Sequence, residues 1–121
     1  MIAEIAQGNL ILLVAMLDGQ AVGTIQLAPA ASPNGSHRAE VQKLIVHSRA
    51  RNQGIARSLL VSIEDIARNM GRTLLFLDTK RGDTAEHLYE KYGYTRAGII
   101  PQFAQDGEGK LCDTVYFYRL L

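Results

Sequence analysis

Arg51-Asn52-Gln53-Gly54-Ile55-Ala56 lies between an apolar strand-like run, Val41 to His47, and a long segment of helical periodicity. A strand that enters a helix through a short glycine-containing loop aims several backbone N–H groups and the positive end of the helix dipole at one point, and that point suits a pyrophosphate. The ligand expected there is a phosphorylated cofactor. Alone the hexamer is a weak signal, because one Gly and one Ala in a basic loop also describe a plain turn. Its neighbours give it weight.

On the C-terminal side Ile55, Leu59, Leu60, Ile63, Ile66, Ala67 and Met70 recur at helical spacing, with Arg57, Glu64, Asp65 and Arg68 largely elsewhere. The spacing predicts an amphipathic helix closed by Gly71. Thr73 to Thr79 is apolar nearly throughout, as a strand covered on both faces would be. A second helix is expected from Asp83 or Thr84, either of which could cap it, to Tyr92, with Gly93 as its stop. Two tail strands, Thr95 to Pro101 and Thr114 to Leu121, flank the polar loop Gln105 to Lys110.

On the N-terminal side Leu10 to Leu17 and Gln20 to Leu27 are apolar runs joined by Asp18-Gly19, a hairpin dipeptide. Pro29 to Ser36 reads as an exposed connection, and a third strand, Arg38 to His47, follows it in meander order. A hairpin start, then βαβα and a terminal β pair, means an α/β domain with a mixed sheet.

With 121 residues, 47% of them apolar, the chain can bury one core, so a single domain over residues 1–121 is expected. Thirteen Lys and Arg against twelve Asp and Glu give no broad field for nucleic acid or an anionic membrane. The local cluster Arg49, Arg51 and Arg57 could still hold a phosphorylated ligand. Leu10 to Leu17 is too short to span a bilayer and follows no basic segment, so no anchor or signal peptide is indicated. The lone Cys112 excludes an internal disulfide and is compatible with a reducing compartment, and the chain is read as cytoplasmic. His37, His47 and His87 have no metal-ligand spacing, so no metal is expected.

Arg51 to Ala56 has the form Arg/Gln-x-x-Gly-x-Gly/Ala. It follows Ala39-Glu40-Val41-Gln42-Lys43-Leu44-Ile45-Val46 and precedes Leu74-Leu75-Phe76-Leu77-Asp78-Thr79 and Leu88-Tyr89-Glu90-Lys91-Tyr92-Gly93-Tyr94. This series resembles the acetyl-CoA-binding core of the GCN5-related N-acetyltransferases from about Leu10 onward. Arg38 to Leu44, Leu77 to Thr79 and Asp113 to Tyr118 look most like the tabtoxin-resistance type, which acts on small molecules. Members usually carry a strand and two helices before the hairpin, forming much of the acceptor wall. Only Met1 to Asn9 stand there, so the expectation is a fold with two main helices that lacks the usual N-terminal strand and helices.

The resemblance implies a cofactor and three catalytic candidates. Backbone N–H groups of Asn52, Gln53, Gly54, Ile55 and Ala56 would hold the pyrophosphate of acetyl-CoA, with Arg51 and Arg57 adding charge. The main chain of Leu44, Ile45 and Val46 would pair with the pantetheine arm as a peptide adds to a sheet edge, their side chains being core. Glu40 is the first candidate for the base that frees the acceptor amine, and Asp78 could form a carboxylate pair with it. The alternative is structural: Glu40 paired with Arg38 or Lys43, and Asp78 capping a turn. Tyr89 occupies the position whose hydroxyl protonates the departing thiolate. Tyr92 and Tyr94 read as packing residues.

The leading expectation is an N-acetyltransferase acting on a small-molecule amine. The rival is a shortened acyl-CoA-binding module with little activity, favoured by the short N-terminus. A dinucleotide-binding fold fits less well, since the Gly-x-Gly-x-x-Gly spacing is absent. A bare sheet face or edge near Ile2 to Leu13 would favour a homodimer.

Overall fold

Short turns set the start of the sheet. In the computed structural model, which describes residues 1–121, Ile2–Gln7 (β1) pairs antiparallel with Leu10–Leu17 (β2), Gln7 facing Leu10 across Gly8-Asn9. The sequence reading gave residues 1–9 no element, and this strand corrects it. Asp18 and Gly19 both take positive φ, 52° and 77°, so Leu17 faces Gln20 across the turn that best matches strand twist. The second arm, Gln20–Pro29 (β3), runs two residues further than expected and takes Pro29 out of the connection.

Arg38–Val46 (β4) follows a 3-10 turn at Pro33–Gly35, and a second such turn, Ser48–Ala50, leads toward helix Ile55–Asn69 (α1). Then come Leu74–Lys80 (β5), helix Ala85–Lys91 (α2), Thr95–Gln105 (β6) and Leu111–Leu120 (β7). The fold is mixed α/β, one seven-stranded sheet in the order β1-β2-β3-β4-β5-β7-β6. Two compact units are distinguishable, Met1–Leu75 with Leu121, and Phe76–Leu120.

In the first unit the amphipathic pattern of α1 is realised: Leu59, Leu60, Ile63 and Ala67 are buried against β2, β3 and β4. Each large side chain so buried contributes roughly 1.5–3 kcal/mol. Gly23 allows the close approach, since a Cβ there would meet Ile55 Cγ2 at 3.1 Å and Leu59 Cδ1 at 3.2 Å. The helix ends as the sequence predicts, Gly71 N–H donating to Arg68 O and Arg72 N–H to Ala67 O, both at 2.9 Å. Arg72 NH1 then donates to Ser36 O at 2.6 Å, which fastens the β3–β4 connection.

In the second unit α2 begins where Asp83 Oδ1 accepts from Ala85 N–H and ends where Tyr94 N–H donates to Tyr89 O. β5 buries Leu75 and Leu77 fully, while Leu74 and Phe76 stay half-buried. One of its faces is therefore covered and the other only partly, short of the two-sided cover expected. β6 and β7 are longer than predicted because Pro101 to Phe103 bulge opposite Asp113, with Gln102 at φ 56°. Asp113 Oδ1 accepts from Gln102 N–H and Oδ2 from Arg81.

Glu86 joins three segments of this unit. Its carboxylate accepts from Gly82 N–H and from Arg96 NH2, the latter at 2.6 Å. The Gly82 bond, aided by Arg96, holds its pKa below the ordinary carboxylate value. A carboxylate depressed in the folded state gives stability that is complete above its unfolded pKa and lost as pH falls through the folded one. The urea midpoint is therefore expected to fall on acidification below roughly pH 4.5. Glu86→Gln should lower the midpoint at pH 6 and flatten that fall, and parallel curves for the two proteins would contradict this role.

Candidate functional site

The loop after β4 is built to leave N–H groups free. Ala50 is buried and anchors it, His47 Nδ1 accepts from Arg49 N–H at 3.2 Å, and Asn52 and Gly54 take positive φ, 65° and 74°. Gly54 is the residue before α1, and no side chain caps the helix. The first intrahelical bond is Ser58 N–H to Gly54 O, so the amides ahead of it have no helical acceptor. A Cβ placed on Gly54 would meet nothing within 4 Å, so the loop faces open space. Arg51, Asn52, Gln53 and Arg57 are exposed, and Ile55 and Ala56 half-buried. An exposed, uncapped N-terminus flanked by two arginines fits a pyrophosphate.

β4 carries the next candidates. Lys43 takes a positive φ of 53°, and the β3–β4 register shifts between Thr24 and Gln26. This bulge re-aims the main chain just before Leu44, Ile45 and Val46. The expectation that these side chains are core is corrected: Ile45 is 61% exposed, and Leu44 and Val46 are half-buried. Glu40 is half-buried and accepts from Gln42 Nε2 at 2.8 Å, in place of an ion pair with Arg38 or Lys43. Arg38 instead lays its guanidinium against Gly35. The sequence held a signal for Gln42, since i and i+2 share one face of a strand.

Asp78 and Tyr89 stand in the second unit. Asp78 lies within β5 and accepts at Oδ2 from the hydroxyl of buried Thr114, at 2.9 Å, so it does not cap a turn. The sequence reading missed Thr114, whose place opposite Asp78 depends on strand pairing. Tyr89 is 7% exposed, its ring centroid 6.0 Å from Tyr94 and 5.8 Å from Phe117. Burial, with the Asp83 and Asp78 carboxylates adding to it, pushes its phenol up to about 12. It therefore keeps its proton throughout the neutral range. Tyr94 is buried as expected and Tyr92 is half-buried.

No helix is long and apolar enough to cross a membrane. Residues 2–94 match the model of the Acetyltransferase (GNAT) family. Acetyltransferase Atu2258 of Agrobacterium fabrum is 43% identical over 60 residues, which are 50% of this chain and 43% of that protein. The match thus spans less than half the length of that relative. The ribosomal-protein-alanine N-acetyltransferase of Brucella melitensis superposes with a TM-score of 0.82 at 28% identity, over 93% of this chain and 69% of that one. A Salmonella typhimurium protein solved with its cofactor acetyl-CoA shares the fold, with a TM-score of 0.81 at 21% identity, over 93% of this chain and 65% of that one.

Proposed function

Because the chain belongs to the GNAT acetyltransferase family, we propose that it moves an acetyl group from acetyl-CoA to the primary amine of a small molecule in the cytoplasm. The observation that carries this reading is the uncapped start of α1 behind Gly54, open to solvent and flanked by Arg51 and Arg57. There the amides of Asn52 to Ala56 hold the pyrophosphate and the two arginines add charge. The main chain at Leu44 to Val46, redirected by the Lys43 bulge, takes the pantetheine amides. Free, half-buried Cys112 suits a reducing compartment.

Glu40 acts as base, directly or through one water, because an alkylamine of pKa ~10.4 is almost wholly protonated at neutral pH. The amine nitrogen bonds to the thioester carbonyl carbon, and the C–S bond breaks. Glu40 takes the ammonium's first proton and releases it to solvent; Tyr89 gives its proton to the thiolate sulfur, and the second proton, shed by nitrogen after the attack, restores the Tyr89 hydroxyl through solvent. Asp78, which accepts from the Thr114 hydroxyl, is kept as the second candidate carboxylate. One observation favours the rival acyl-CoA-binding module: the Tyr89 ring packs between Tyr94 and Phe117 as a core residue does. Turnover separates the two readings.

Gly54→Val tests the cofactor loop. A β-branched residue at φ 74° is strained, and its side chain enters the space a pyrophosphate needs. Acetyl-CoA affinity should fall at least tenfold, or ~1.4 kcal/mol. Unchanged affinity by calorimetry in a folded variant would remove the loop from the site.

A further inference from the structure

Glu64, Glu86 and Thr114 are the buried polar side chains of the fold. Glu86 is held by Gly82 and Arg96, and Glu64 lies on α1 in the first unit. Thr114, 2% exposed on β7, differs from both, because its one hydroxyl hydrogen has two acceptors in reach. Oγ1 stands 2.9 Å from Asp78 Oδ2 and 3.0 Å from Thr79 O. The hydroxyl donates fully to one of them at a time, and its oxygen can also accept.

That geometry serves both protonation states of Asp78 without moving a heavy atom. While the carboxylate is ionised, the hydroxyl donates to Oδ2. Once Oδ2 carries a proton, Asp78 donates to Oγ1, and the Thr114 hydrogen turns to Thr79 O. The buried hydroxyl has an acceptor in either state, so the penalty of an unpaired donor never arises. A valine would fill the same space and allow neither arrangement. Glu40 is held differently: Gln42 Nε2 only donates, so its 2.8 Å bond to Oε1 fits the ionised carboxylate. The other charged or titratable groups about Asp78 in this unit are Tyr89 of α2, whose phenol feels the Asp78 charge, Asp83 ahead of α2, and Lys80 and Arg81 just after Asp78 in sequence. Arg81 is drawn to Asp113 at 3.2 Å, and β6 places only Ile100 opposite Thr114.

We propose that Thr114 is a positioning residue for proton carriage, which lets Asp78 take the second proton of the acceptor amine and give it up again within one turnover. The inference rests on the acetyl-transfer reading. In it the nitrogen, once bonded to the carbonyl carbon, sheds its remaining surplus proton to Asp78: the N–H bond breaks, its electron pair stays on nitrogen, and a carboxyl O–H bond forms. Tyr89 gives its own proton to the departing thiolate. Asp78 then returns the proton it holds through water to the Tyr89 oxygen, so both groups end as they began.

Thr114→Val removes the hydroxyl and keeps the shape, whereas Thr114→Ser keeps the hydroxyl. With acetyl-CoA and an accepted amine, Thr114→Val should lower kcat about tenfold or more and leave KM for both substrates within roughly threefold, the loss expected of an impaired proton transfer. Thr114→Ser should recover kcat to within roughly threefold of the native chain. In an Asp78→Asn background the valine should cost nothing further, because Thr114 acts through the carboxylate. Where Thr114→Val does not fold, Thr114→Ala carries the same expectations. Native kcat in a folded valine or alanine variant would overturn the inference and leave acetyl transfer standing. So would an equal loss with and without the Asp78 carboxylate, or a serine variant as slow as the valine one, since Thr114 would then serve strand packing alone. A native chain that acetylates no amine would overturn the acetyl-transfer reading, and this inference with it.

Discussion

Tyr89→Phe is expected to lower kcat about a hundredfold, on the order of 3 kcal/mol in the barrier, and to leave acetyl-CoA affinity nearly intact. The change removes only the hydroxyl. The ring contacts with Tyr94 and Phe117 survive in phenylalanine, so folding and the packing of α2 should be preserved. A phenol held near 12 is fully protonated at neutral pH, as a donor to the leaving thiolate must be. Steady-state kinetics with any accepted amine checks this, and a variant turning over at the parental rate would reduce Tyr89 to a packing residue.

Glu40→Gln should cost more, roughly 10²- to 10⁴-fold in kcat, the range of a positioned acid or base. Glutamine keeps the size of the side chain and can still bond Gln42, so the β4 face should persist. The deficit should shrink as pH rises toward the amine's own ~10.4, where free amine no longer depends on a base. A deficit constant across that range would assign Glu40 to substrate orientation and contradict its role as base.

Both expectations rest on residues that the sequence displayed, and the reason is local. Asp18-Gly19, Gly71 and Gly93 mark stops whose chemistry is decided within a few residues, so β2, β3, α1 and α2 could be read closely. Gly54 before an amphipathic run likewise announced an uncapped helix start. β1 escaped because IAEIAQ alternates weakly and only Gly8-Asn9 punctuates it. The Lys43 and Gln102 bulges escaped because no glycine marks them, although both take positive φ. Such backbone states arise from pairing with distant strands. Thr114 beside Asp78, and Leu12 in one row with Gln26, are register facts for the same reason. Candidate residues were therefore legible one by one, and their arrangement was not.

The most direct test mixes the purified chain with acetyl-CoA and a panel of primary amines, following free CoA thiol and product mass together. The account predicts amine-dependent release of CoA, matched mole for mole by an N-acetylated amine. Acetyl-CoA that binds saturably yet releases no CoA with any amine would contradict acetyl transfer and leave a binding module in its place.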